Sequence, residues 1–215
     1  MPLSPVTEAR PSGNGYAAAM NRTPHIGVVS SSLDPESRSA VVARLCLAKL
    51  ARQGVATTLI DLRETTLARF DNAAVYGTPE YAELHSAVAA ADGLILCTPI
   101  YNWSVSAELK KLVEATGSTP PDGSRRGAWF DKVITFAGAA GLPHSYMAFG
   151  ALATTMMLDF KCVINPYHIY VQNRHWTAAD ELSHEAHTRI DKTLFVMLEL
   201  TTLLLERSYS SEWEL

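Results

Sequence analysis

A chain of 215 residues is long enough for one α/β domain with tails, and its 47% hydrophobic content supplies one sizeable core. A net charge of −4 and a pI of about 6.0 carry no basic footprint, which sets nucleic acid and anionic membranes aside as partners. No window reaches the roughly 18 apolar residues of a membrane span. The three cysteines, Cys46, Cys97 and Cys162, have neither metal-ligand nor CxxC spacing and read as small buried hydrophobes in a reducing compartment.

Taken in chain order, residues 1–23 hold Pro2, Pro5, Pro11, Gly13 and Gly15 and lack the apolar run of about 7–15 residues that a secretory signal needs. They read as a flexible leader on a cytoplasmic protein. His25 to Ser30 (HIGVVS) is a β-branched run that predicts a strand. A serine-rich loop follows, then a helix with Val41, Val42, Leu45, Leu47, Leu50 and Ala51 on its apolar face. After the breaker Gly54, residues 55–62 (VATTLIDL) predict a second strand, and Tyr81 to Ala90 a modest helix. The continuous apolar run from Gly93 to Cys97 has the composition of a strand buried on both faces. Ser106 to Ala115 reads as a helix with Leu109, Leu112 and Val113 inward. Residues 132–137 (KVITFA) predict the fourth strand, 145–158 a helix, 161–169 the fifth strand and 178–207 a long final helix, leaving 208–215 as a short tail.

Strand and helix alternate five times. That order implies an α/β fold, with a five-stranded parallel sheet and helices on both faces, in one domain over residues 24–207. Such sheets bind ligands beyond the carboxyl ends of their strands. The loops after strands one, three and four are therefore the candidate site, and each has unusual composition.

The first loop, from Ser30 to Ser39, holds five serines and Arg38. Hydroxyls, open main-chain amides and the dipole of the following helix suit a phosphate there, and Arg38 adds a charge-assisted contact. Neither GxGxxG nor GxxxxGK[ST] is present. The second loop is Thr98-Pro99-Ile100-Tyr101-Asn102-Trp103-Ser104. Pro99 keeps the chain extended as it leaves the sheet, while Tyr101, Asn102 and Trp103 offer a flat surface and polar groups to a heteroaromatic ring. The third loop includes Gly138, Ala139, Ala140 and Gly141, whose small size lets backbone approach a planar ligand. His144 reads as a packing residue at a helix start, and His184 and His187 as part of a polar helix face rather than a metal pair. Phosphate at one end, ring recognition in the middle and close backbone approach at the other describe flavin mononucleotide.

Three segments, SSSLDPESRS, ADGLILCTPIYNWSVSAELKKLVE and FAGAAGLPH, resemble the NADPH-dependent FMN reductase family, and within it the flavin reductases of alkanesulfonate systems. The stretch Ala68-Arg69-Phe70-Asp71 resembles the same subgroup. The resemblance runs from about Ile26 to Thr202 and implies a flavodoxin-like fold. It also implies FMN as cofactor, NADPH or NADH as donor, and hydride transfer from nicotinamide to flavin N5. The reduced flavin would be supplied onward, or used on a quinone-like acceptor. On the family's first-loop pattern, Ser32, Ser37 and Ser39 match phosphate-contacting positions, Ser31 replaces a glycine and Asp34 replaces an arginine. Pro99, Ile100, Tyr101 and Asn102 match residues that flank the isoalloxazine. Trp103 stands where a small residue is common and would partly cover the exposed face of the ring. The cofactor-binding set is thus Ser30, Ser32, Ser37, Arg38, Ser39, Pro99, Ile100, Tyr101, Asn102, Trp103, Gly138, Ala139 and Gly141, with no catalytic acid or base and no metal. The family pattern also implies a homodimer or homotetramer, and a flavin-dependent monooxygenase as a possible partner. The alternatives are a flavin-dependent biosynthetic enzyme on the same scaffold and a flavodoxin-type electron carrier; carriers are strongly acidic and use a T-G-x-T-G-x-T loop, absent here.

Overall fold

The computed structural model describes residues 22–141 and 143–213. Residues 1–21 of the expected leader and the last two of the tail lie outside the described residues. The elements run β1 (His25–Ser30), α1 (Arg38–Arg52), β2 (Ala56–Asp61), α2 (Pro79–Ala90), β3 (Gly93–Pro99), α3 (Ala107–Gly117), β4 (Val133–Ala139), α4 (Gly150–Phe160), β5 (Val163–Ile164), β6 (Ile169–Val171), β7 (Trp176–Ala178), β8 (Glu181–Leu182) and α5 (His184–Leu205).

The main sheet is parallel in the order β2-β1-β3-β4-β5, with β6 also pairing β4. Every residue of β3 is buried, as its unbroken apolar run requires of a strand covered on both faces. One core layer lies under α2, α3 and α4 and includes Leu94, Leu96, Leu109, Leu112 and Phe136. The other lies under α1 and α5 and includes Val28, Ile95, Leu50, Ile190 and Met197. All three cysteines are buried free thiols.

The helices start where their first residues supply caps. The Ser37 hydroxyl accepts from Ala40 N–H at 3.4 Å to open α1, and Ser106 accepts from Leu109 N–H at 3.3 Å to open α3. Pro79 occupies the first turn of α2, where its missing N–H costs nothing.

The carboxyl-terminal third departs from the pattern read in the sequence. The fifth strand is in two short pieces that pair the same neighbour, because Asn165 turns its side chain inward. Its Nδ2 donates to Thr135 Oγ1 and to Thr193 O, both at 3.1 Å, and Pro166 has no N–H to continue the ladder. The final helix begins at His184 rather than near Ala178, because residues 176–182 pair as the antiparallel β7–β8 hairpin and Ser183 then caps the helix. The helix expected over 145–158 is a 3₁₀ turn, Ser145–Phe149, followed by α4.

The amino end of the sheet is tied shut. Asp92 pairs with Arg22 at 2.7 Å and accepts His25 N–H at 2.9 Å. Lys132 donates to Ala89 O at 3.1 Å and Ala91 O at 2.5 Å, closing the end of α2. Asp131 accepts from Ser211 N–H at 2.8 Å and faces Arg207 at 3.7 Å.

Candidate functional site at the carboxyl end of the sheet

The strand order reverses between β1 and β3, and at such a switch point the loops on either side part to leave a crevice. Ser31 joins the two sides. Its N–H donates to Cys97 O at 3.0 Å, and its hydroxyl meets that of Ser106 at 2.8 Å in a buried contact. Thr98 Oγ1 accepts Ser106 N–H at 3.0 Å, so the second loop is pinned at both ends. Ile100 N–H reaches Ala139 O at 3.3 Å and Ala140 N–H reaches Val171 O at 3.0 Å, which fixes the third loop beside the second.

Between these loops lies a cleft of about 370 Å³. The first loop lines it with Asp34, Glu36, Ser37, Arg38 and Ser39; the second with Pro99, Ile100 and Tyr101; the third with Ala139, Ala140 and Gly141; and Asn173 closes the far wall. The Ser37 and Ser39 hydroxyls are 2.8 Å apart. Among the described residues, the amides of Arg38 and Ser39, the first two of α1, have no partner within the chain. Ser30 Oγ, at the end of β1, is buried and also without a partner. Open amides at a helix start, flanked by hydroxyls, hold an anion with main-chain hydrogen bonds and the positive end of the helix dipole. These residues fit a phosphate group.

Eight of the sequence-derived site residues meet at the cleft: Ser37, Arg38, Ser39, Pro99, Ile100, Tyr101, Ala139 and Gly141. Ser30, Ser32, Asn102, Trp103 and Gly138 do not line it. Ser30 and Ser32 are buried at the base of the first loop, where Ser32 Oγ accepts Asp34 N–H at 3.3 Å. Gly138 is small for the sake of packing. A Cβ there would stand 2.6 Å from Phe149 Cζ and 3.0 Å from Ile100 Cδ1. Asn102 and Trp103 form the tip of a tight turn in which Tyr101 N–H donates to Ser104 O at 3.1 Å and Ser104 N–H to Tyr101 O at 2.9 Å. His144 is exposed and lies off the cleft.

Four lining residues lay outside the sequence-derived set: Asp34, Glu36, Ala140 and Asn173. Asp34 shapes its loop, accepting Glu36 N–H at 2.9 Å through the side chain and Ser37 N–H at 3.1 Å through the carbonyl. Asn173 accepts from Arg38 Nη1 at 2.5 Å, and the same guanidinium lies over the Trp176 ring at 5.2 Å. The turn that presents Asn173 is held by Gln172 N–H donating to His175 Nδ1 at 3.1 Å. Burial holds the His175 ring below its ordinary value, which favours the neutral form with a nitrogen free to accept.

Residues 24–170 match the family described as NADPH-dependent FMN reductase. The chain belongs to that family. It is an NAD(P)H-dependent FMN oxidoreductase of flavodoxin-like fold. Among solved structures it is similar to the apo form of EMOB, an NADH:FMN oxidoreductase, with a TM-score of 0.65 and 20% identity over 84% of this chain and 89% of that one. It is also similar to FerB, an NAD(P)H:(acceptor) oxidoreductase from Paracoccus denitrificans, with a TM-score of 0.64 and 18% identity over 86% and 98% of the two chains. A third likeness is to RosB with a bound 8-demethyl-8-formylriboflavin-5'-phosphate, with a TM-score of 0.60 and 13% identity over 85% and 79%. No curated protein matches the sequence. The cleft brings together the open amides at the start of α1, the Pro99–Ile100–Tyr101 segment and the small residues Ala139, Ala140 and Gly141. No described helix is long and apolar enough to cross a membrane.

Proposed function

We propose that the domain over residues 24–207 holds FMN across the three loops, with the 5'-phosphate at the start of α1. The unpaired amides of Arg38 and Ser39, opening on the cleft beside the Ser37 and Ser39 hydroxyls, are the observation that carries this reading. Ser30 and Ser32 support the cradle from below, and Arg38 adds charge from the side while Asn173 sets its angle. Pro99, Ile100 and Tyr101 face the ring, with the Asn102–Trp103 turn at its outer side, and Ala139 and Gly141 form the opposite wall, with Gly138 packed behind them. FMN supplies the two-electron chemistry when bound, and the chain's task is to fix the ring's position and its surroundings.

Within the family the proposed subgroup is the flavin reductases of alkanesulfonate systems, carried by the T-P-I-Y-N loop and the segment FAGAAGLPH. In that subgroup a flavin-dependent monooxygenase is the partner that consumes reduced FMN. The proposed assembly is a homodimer or homotetramer in the cytoplasm. A single monomeric mass by light scattering at micromolar concentration would overturn the assembly.

The deciding experiment is the absorbance spectrum of the purified chain with FMN, followed by anaerobic addition of NADPH or NADH. A perturbed flavin band that bleaches on addition of either donor is the expected result. A band identical to that of free FMN would overturn the site.

A further inference from the structure

The turn that carries Asn173 also borders a second cleft. β6 pairs with β4 alone, and the chain leaves it through residues 172–175 and the β7–β8 hairpin before α5 returns to pack against it. A hollow of about 370 Å³ is left between β6 and residues 185–192 of α5, within the size range of small-molecule pockets. It shares no lining residue with the FMN cleft: Asn173 closes that one, and His175, two positions later, lines this one.

The floor of the hollow is apolar. Ile169 and Val171 of β6 and Ile190 of α5 are each exposed by 1% or less, and the half-exposed Tyr167 adds a flat ring to the wall. Two cations line the same hollow without a carboxylate of their own. Arg189 spends Nε on His168 O at 2.9 Å, and its terminal nitrogens have no partner among the described residues. The Lys192 ammonium has no hydrogen bond or ion pair among the described residues and lies over the Tyr167 and Phe195 rings at 5.4 and 5.6 Å. Lys49, Lys110 and Lys111, by contrast, each meet a carboxylate within 2.8 Å. Glu185, the acid in the lining, faces Arg174 at 3.9 Å and His175 at 3.8 Å instead.

The lining therefore carries two cations against one anion over bare hydrocarbon. A cationic ligand is repelled there. A nucleotide would set its polar base and sugar on a floor with nothing to bond them. An uncharged ring would gain nothing from the two cations. A flat apolar body with one anionic head meets both features.

We propose that this hollow is a second ligand site, separate from the FMN cleft, for a small aromatic carboxylate: the ring lies on Ile169, Val171 and Ile190, and the carboxylate meets Arg189 and Lys192. The planar fork of Arg189 suits a carboxylate, and Lys192 adds a second charge on a flexible stem. The site goes beyond flavin reduction and does not depend on where FMN sits.

The test uses 2-naphthoate and its uncharged amide, 2-naphthamide, titrated by calorimetry into the full chain with and without added FMN. One site per chain takes 2-naphthoate with a dissociation constant that FMN changes by less than about twofold, and takes the amide roughly tenfold more weakly, the scale of one lost charge-assisted bond. Lys192→Glu weakens 2-naphthoate roughly tenfold or more, shifts the amide by less than about threefold and leaves FMN affinity at the wild-type value. Arg189→Gln, which also gives up the bond to His168 O, weakens the acid likewise. Lys192 is exposed, so Lys192→Glu decides the outcome even if Arg189→Gln fails to fold. The absence of a saturable signal up to about 1 mM 2-naphthoate overturns the site. So does displacement of 2-naphthoate by FMN, or a loss in Lys192→Glu that is equal for acid and amide. A changed mass by light scattering in Lys192→Glu gives the hollow to a contact between copies of the chain and overturns it as well.

Discussion

At the amino end of the sheet, Asp92, Asp131 and Lys132 are each bonded to a cation, a hydroxyl or main-chain groups; at the carboxyl end, Ser30 Oγ and the amides of Arg38 and Ser39 are left without partners. Even Arg207, which keeps Nε bare, spends its other nitrogens on Leu204 O and Asp131. Both ends are built from the same strands. What differs is whether the chain satisfies itself. Buried polar groups that the chain leaves unpaired are costly unless something else meets them, so the open end is the end organised around a ligand.

The comparison can be broken from either side. Ser37→Asp is the strongest attack on the open end. Aspartate is as good a helix cap as serine, so the fold survives, but its charge stands where the phosphate must sit. With two charges about 4 Å apart and partly screened, the penalty is about 4 kcal/mol, so FMN affinity falls by roughly 1,000-fold by flavin fluorescence titration, with an unchanged melting temperature. An FMN dissociation constant within threefold of wild type would move the phosphate elsewhere.

Lys132 tests the closed end. Burial is the main cause that lowers its pKa from 10.5 to about 8. Between those values the unfolded chain binds more protons than the folded one, so stability rises with pH through that window and is lowest, for this group, below pH 8. The rise is worth up to roughly 3 kcal/mol by urea denaturation at pH 7.5 and 10, measured as wild type minus Lys132→Met. Lys132→Met removes the slope, and FMN affinity at pH 7 stays within twofold because the residue lies at the opposite end of the sheet. Equal slopes in the two proteins would show that Lys132 is not the titrating group.

The smallest effect belongs to Asn173→Ala. It frees Arg38 from one exposed hydrogen bond while leaving it over Trp176, so FMN affinity weakens by about threefold and stability changes by less than about 1 kcal/mol. A loss above 30-fold would make Asn173 a direct ligand contact.

The four long strands and the three loops were legible in the sequence because each rests on local information. GLILC reads as a strand with both faces covered, and the serine-rich loop before a helical face puts hydroxyls beside the open amides of a helix start. The parts that were not legible depend on distant partners. Asn165 interrupts the fifth strand by reaching Thr135 and Thr193, 30 and 28 positions away. Asn173 enters the site through Arg38, 135 positions before it, and nothing around Asn173 announces that bond. Gly138 looked like a residue kept small for a ligand, but Phe149 and Ile100 occupy the space its side chain would need. Residues 178–182 of the β7–β8 hairpin were read as the start of the last helix because two paired positions leave too short a pattern to register against the long apolar stretch behind them.

The enclosed thiols bear on how such an enzyme ages. Reduced flavin reoxidised by dioxygen would pass its two electrons and two protons on as hydrogen peroxide, and peroxide attacks cysteine as the thiolate, at sites it can reach. The neighbouring Cys46 thiol and complete burial push Cys97 well above its ordinary value, and burial pushes Cys162 up to about 12. Both stay protonated inside the two core layers, and all three cysteines are sealed from solvent. The protein thus keeps its thiols where its own by-product has least access, and leaves the exposed Met147 just after the third loop as the sulfur within its reach.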